Sequence, residues 1–174
     1  MDRYALAKLI EWSDTEGIAG RKRLQKVVFF LQHAGFPSRA DFYLHHYGPY
    51  SREIAAECDK LVSLAIVNES TDTSGRHKTF TYTITEEGVS AIANTKRIHP
   101  HAEEIDRFRD MAVELLHKDI WTLELASTIV HFVSTGRSFD DAVKQAFEFK
   151  SVSNPDDTSA IQAVDFAKSA TASN

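Results

Sequence analysis

Ten consecutive residues constrain this chain more than any others: Arg23-Leu24-Gln25-Lys26-Val27-Val28-Phe29-Phe30-Leu31-Gln32. Leu24, Val27, Val28 and Leu31 recur at i, i+3, i+4 and i+7, and Phe29 and Phe30 widen the stripe around the helix. A helix apolar on most of its sides has to be covered from several directions, so it belongs at the centre of a core. Gly35 and then Pro37 stop it, which predicts a helix over residues 21–34. Its entrance is basic. Arg21, Lys22, Arg23 and Lys26 crowd the positive end of the helix dipole, where cations need an anionic partner or solvent.

Other elements can be laid around that helix. Leu6, Leu9 and Ile10 predict a first helix over residues 3–13, broken at Thr15-Glu16-Gly17. The aromatic run 41–47 suits an extended segment that Gly48-Pro49 ends. Ser51 is placed to cap a third helix over 51–64, with Glu53 in its first turn and Ile54, Cys58, Leu61, Val62 and Ala65 facing inward. Phe80, Tyr82 and Ile84 alternate with Thr79, Thr81 and Thr83, and with the run from Ile66 they predict a hairpin around a polar, glycine-containing tip. Thr85 caps a fourth helix to about residue 95, packed through Val89, Ile92 and Ala93.

Helix, helix, helix, hairpin, helix is the order of a winged helix. The predicted class is α+β, mainly α: a winged-helix domain over residues 1–97 with a β-hairpin wing, then a helical C-terminal segment over 98–150. The stripe Ile105, Phe108, Ala112, Leu115 predicts one of its helices, and Leu125, Ile129, Phe132, Val133 a second. A third starts at a Ser138 capping box and buries Val143, Ala146 and Phe147. Beyond Lys150 the composition turns to Ser, Ala, Asn and Thr, which predicts a flexible tail over 151–174. Within it, Ile161, Val164 and Phe166 offer a weak helix to a partner.

Bulk properties narrow the function classes. No stretch approaches the roughly 18 to 20 apolar residues of a membrane span. The start Met1-Asp2-Arg3-Tyr4-Ala5 lacks a signal-peptide layout, and the single cysteine forms no internal disulfide, so a cytoplasmic location is expected. Charge is uneven. Residues 1–97 carry 13 Lys and Arg against 12 Asp and Glu, whereas residues 98–174 carry 7 against 13. An acidic half keeps a chain soluble, repels phosphate and suits a partner with a basic surface.

No catalytic, cofactor or metal site is expected. Cys58 falls on the apolar face of its helix, and the adjacent His45 and His46 would point to opposite faces of a strand. His99-Pro100-His101 has no thiol or carboxylate at metal-site spacing. The pairs Glu86-Glu87, Glu103-Glu104 and Asp140-Asp141 open helices, where the dipole accounts for them. Seven glycines are scattered as breakers, with no phosphate-cradling loop among them.

Three motifs in one order carry a family likeness: the run 23–32, the segment His46-Tyr47-Gly48-Pro49-Tyr50-Ser51, and Thr85-Glu86-Glu87-Gly88. Over about residues 1–95 the chain resembles the YwgA-like proteins and, more distantly, the Panacea antitoxin domain, which includes the SocA-like antitoxins. The resemblance implies a winged helix with a role in toxin neutralisation, adaptor binding or DNA-associated regulation. It implies no catalytic residues.

The reading that follows is a non-catalytic regulatory or antitoxin-like adaptor that binds a partner protein. Its candidate contacts are Arg21, Lys22, Arg23 and Lys26 at the basic entrance, Tyr50 and Arg52 at the third helix, and Arg76, His77 and Lys78 at the wing. Phe42 and Tyr47 are expected to close the core between the second and third helices. The alternative is a transcription regulator, dimeric through its C-terminal helices, in which the same cations grip duplex DNA. Against that, residues 51–64 carry Arg52 and Lys60 beside Glu53, Glu57 and Asp59, an acidic balance for a helix meant to enter a groove.

Overall fold

In the computed structural model, which describes residues 1–73 and 78–172, eight consecutive residues of α2 (Arg21–His33), from 24 to 31, are buried. That length exceeds two helical turns, so the helix is enclosed on every side there. Ahead of it come α1 (Arg3–Glu11), a short 3₁₀ turn and the two-residue strand β1 (Ile18–Ala19). After it come β2 (Tyr43–His45), β3 (Gly48–Tyr50), α3 (Arg52–Ser63), β4 (Val67–Asp72), β5 (Thr79–Ile84) and α4 (Glu86–Lys96). Five helices follow: α5 (Ala102–Asp106), α6 (Arg109–His117), α7 (Ile120–Ser134), α8 (Phe139–Lys150) and α9 (Thr158–Ala172). The class is α+β and mainly helical, as expected.

The chain divides into two compact units. One comprises Met1–Asp41 and Ser51–His117, the other Phe42–Tyr50 and Lys118–Asn174. In the first, Leu6, Leu9, Ile10, Val27, Val28, Ile54, Leu61 and Tyr82 form the core. Its antiparallel sheet has the order β1–β5–β4, with Ile18 opposite Tyr82 and a ladder from Val67–Ile84 to Asp72–Thr79. Gly17 makes the entry to β1 possible. Its φ is +70°, and a Cβ there would stand 2.5 Å from the Tyr82 carbonyl oxygen.

The Thr-Glu-Glu-Gly segment has a similar physical reason. Thr85 caps α4 by accepting from the Gly88 amide at 2.9 Å, and its hydroxyl donates to the Ala65 carbonyl at 2.7 Å. Gly88 lies so close to the Ile66 carbonyl that a side chain there would collide with it. This approach sets the rotation of α4, and Gly88 and Ile92 face inward while Val89 is 45% exposed. Val89 and Ala93, expected as packing residues, therefore lie outside the buried face. Another expected stripe, Ile105 to Leu115, breaks at Arg107-Phe108 into the separate helices α5 and α6.

In the second unit the central element is α7, buried without interruption over residues 122–130. Residues 158–172, expected to be a flexible tail, form the helix α9. Its buried side is not the Ile161, Val164, Phe166 set but Ala160, Ala163 and Ala167, with Ile161 49% exposed. Alanine is the strongest helix former, and a seam of small side chains lets helices approach closely; a linker-like composition concealed both effects. The segment 41–47 also differs from expectation. Gly48-Pro49 does not end a lone strand but continues into β3, and β2 and β3 pair through a two-residue turn at His46-Tyr47. Gly48, with φ of +93°, allows this: a Cβ there would lie 2.6 Å from Thr128 Oγ1 on α7.

Candidate functional site

Three of the four cations at the basic entrance of α2 are paired or buried within the fold. Arg21, the first helical residue, donates to Glu69 Oε2 on β4 at 2.9 Å, and its guanidinium carbon lies 4.4 Å from the Phe80 ring centre. The Glu69 hydrogen bond holds the Arg21 pKa above its ordinary value. Burial pushes the Glu69 carboxyl up, but hydrogen bonds from Tyr82 and Arg21 outweigh it and leave the group lowered. Arg23 is half-buried and donates to the Leu116 carbonyl at 2.8 Å. That oxygen belongs to the last turn of α6, where helix carbonyls have no partner within the helix and the dipole favours a cation. Lys26 is 2% exposed.

Gln25, between these cations, clasps the start of α3. Its amide donates to the Ser51 carbonyl at 3.0 Å, and its carbonyl oxygen accepts from the Ser51 amide at 2.8 Å. All four groups are buried, so the clasp satisfies backbone polarity that water cannot reach. Ser51 is the residue before α3, but its hydroxyl makes no capping bond.

Of the remaining cations, Lys22 and Arg52 are exposed, at the second position of α2 and the first of α3. Lys78 is exposed with its Nζ 4.6 Å from the Phe80 ring centre, so the structure brings Arg21 and Lys78 to one aromatic ring. Arg76 and His77 lie outside the described residues. Tyr50 belongs to the other unit. The outer side of α3 is not a cationic face either. Glu57 accepts from Arg3 at 2.9 Å and Lys60 at 2.6 Å; burial pushes its carboxyl up, and those two hydrogen bonds bring it below its ordinary value.

The β2–β3 hairpin is the feature that the sequence concealed. Tyr43 is 38% exposed and Tyr47 53%, and His45 and His46 are exposed beside them. Tyr47, expected in the core, is on the surface, while Tyr50 is half-buried. Tyr43 stands directly across the ribbon from Tyr50, and their rings meet edge-to-face at 5.7 Å. His45, two residues along the same face, lies 5.4 Å from Tyr50 and 4.9 Å from His46. Pro49 packs inward, and Lys150 Nζ on α8 lies 6.0 Å from the ring centres of both Tyr47 and Phe149. Lys150 itself is held at 3.1 Å by Glu124, each about nine-tenths buried. The signal that could have revealed the hairpin was a two-residue turn followed by glycine, flanked by Tyr43, Leu44, Pro49 and Tyr50.

Burial raises the Cys58 pKa to about 12, so the group stays a thiol at neutral pH. No three His, Cys, Asp or Glu side chains among the described residues are grouped to hold a metal ion. No described helix is long and apolar enough to cross a membrane.

No family model matches the chain. It is 29% identical over 147 residues, covering 83% of each chain, to the uncharacterised protein YwgA of Bacillus subtilis (strain 168). That likeness supports the YwgA-like resemblance carried by the three motifs.

Proposed function

We propose that this chain is a winged-helix adaptor of the regulatory or antitoxin-like kind, distantly related to the Panacea (SocA-like) domain, which acts without catalysis by binding a partner protein. Within the first unit, which excludes β2 and β3, the element order α1, β1, α2, α3, β4, β5 supports the winged-helix part, as does the pairing of β1 with the β4–β5 hairpin that would be the wing. One observation carries the choice of a protein over DNA. The cations that should grip phosphate are committed within the fold: Arg21 to Glu69, Arg23 to the end of α6, and Lys26 in the interior. Duplex binding draws its affinity from cations that meet phosphates and release counterions, and an arginine already paired with a group of its own protein supplies less of either.

The DNA-regulator reading keeps Lys22, Arg52 and Lys78, all exposed, with Arg76 and His77 beyond the described residues. A fluorescence titration of a labelled random-sequence duplex separates the two. No measurable binding is expected even at low salt. Tight binding that falls about 10³-fold between about 50 and about 200 mM salt would establish the DNA reading instead.

A further inference from the structure

We propose that the β2–β3 hairpin and the adjoining end of α8 form the docking surface, and that its occupant is a basic, arginine-bearing segment of a partner protein. This rests on the partner-protein reading and names the surface and the chemistry that reading leaves open.

Exposed large aromatic side chains are not scattered over the described residues. Tyr43, Tyr47, Trp121 and Phe149 are those exposed, and all four belong to the second unit. Tyr43 and Tyr47 share one hairpin, and Tyr47 and Phe149 flank the same Lys150 ammonium at 6.0 Å. Exposed aromatic rings held on a rigid support are what anchors an interface, because they present much area with little side-chain freedom to lose. The support is closely packed here: Gly48 packs against the Thr128 side chain and Glu124 carbonyl of α7, and Tyr50 and His45 brace Tyr43 from one side.

The charge of the surroundings selects the occupant. This unit carries 5 Lys and Arg against 8 Asp and Glu, a net of −3. Its lysine closest to the patch, Lys150, is neutralised by Glu124, whereas Glu148 next along α8 is exposed. A phosphate backbone would meet net repulsion, and a guanidinium would meet long-range attraction. The faces of tyrosine and phenylalanine rings carry negative quadrupole charge and accept guanidinium groups by stacking. Lys150 already lies within reach of two of these rings, as a cation from a partner would.

The test titrates the full ¹⁵N-labelled chain with a short synthetic peptide of alternating arginine and serine. A glutamate-for-arginine peptide, oligothymidylate and a random duplex run beside it. The arginine peptide should shift the amide resonances of residues 43–50 and of Phe149, and the other three should not. Tyr43→Ala and Tyr47→Ala should each weaken its binding about three-fold, and the pair about ten-fold, while Tyr47→Phe, which keeps the ring, should bind as the parent does. Both side chains are exposed, and an unchanged spectrum elsewhere verifies that the variants fold. Undiminished binding by the alanine variants would overturn the proposal, as would equal binding of the glutamate peptide or no shift at the hairpin. Those outcomes leave the partner-protein reading standing. Binding of the duplex defeats that reading, and binding of oligothymidylate at the hairpin would replace the basic segment with single-stranded nucleic acid.

Discussion

At the start of α2, four cations crowd into six residues; on the β2–β3 hairpin, three tyrosines and two histidines crowd into eight. From sequence the first looks like a set of contacts for a partner or for phosphate, while in the second Tyr47 looks like a core residue and Tyr50 like a contact. The structure pairs or buries three of those cations and exposes Tyr47. Arg21 and Arg23 tie the helix to β4 and to the end of α6, and Lys26 is buried. Tyr43 and Tyr47 stand on the surface. Formal charge is not available charge, and aromatic residues are not core residues until their neighbours have been found. A charge is available only when no structural acceptor lies within reach, and that depends on residues distant in sequence, Glu69 and Leu116 in this chain.

Substitutions at the two places should separate accordingly. The largest stability effect belongs to Gln25→Ala, which strips two buried hydrogen bonds from the Ser51 backbone and should cost about 3 kcal/mol in urea unfolding. Gly48→Ala follows at about 2 kcal/mol, from a positive φ and a Cβ driven against Thr128. A loss at Gly48 confined to hairpin resonances would show that the hairpin unfolds locally, which sharpens the contrast. Arg23→Met should cost about 1.5 kcal/mol by leaving the Leu116 carbonyl unpaired. Arg21→Gln should cost at most about 1 kcal/mol, since its pair with Glu69 is half-exposed and screened by solvent. Tyr47→Ala comes last, within about 0.5 kcal/mol, because truncating a ring that is 53% exposed removes little buried area. An unfolding loss at Tyr47 larger than that at Arg23 would break the comparison.

Much of the fold was legible because its periodicity is strong. The α2 stripe, the strand over Phe80, Tyr82 and Ile84 with Tyr82 buried, and the Thr85 cap all appear where hydrophobic spacing and capping chemistry put them. The failures have identifiable causes. Glycine at 48 looks like a breaker in sequence, yet its positive φ is what carries the chain from β2 into β3. In α9 the weak stripe Ile161, Val164, Phe166 points to the wrong face, because the buried side is alanine, which has low hydrophobicity and high helix propensity. Val89 was misplaced because the fit of Gly88 against Ile66, a tertiary contact, sets the rotation of α4. The candidate site was less legible than the fold, since each cation's availability depends on such tertiary contacts.

The most direct measurement is a single amide map of the full chain, recorded first with the random duplex at low salt and then with the arginine peptide. Stationary resonances over residues 21–26 with the duplex, and movement over 43–50 with the peptide, are predicted. Salt-sensitive movement over 21–26 and around Lys78 with the duplex, beside a silent hairpin, would contradict the assignment of these two regions.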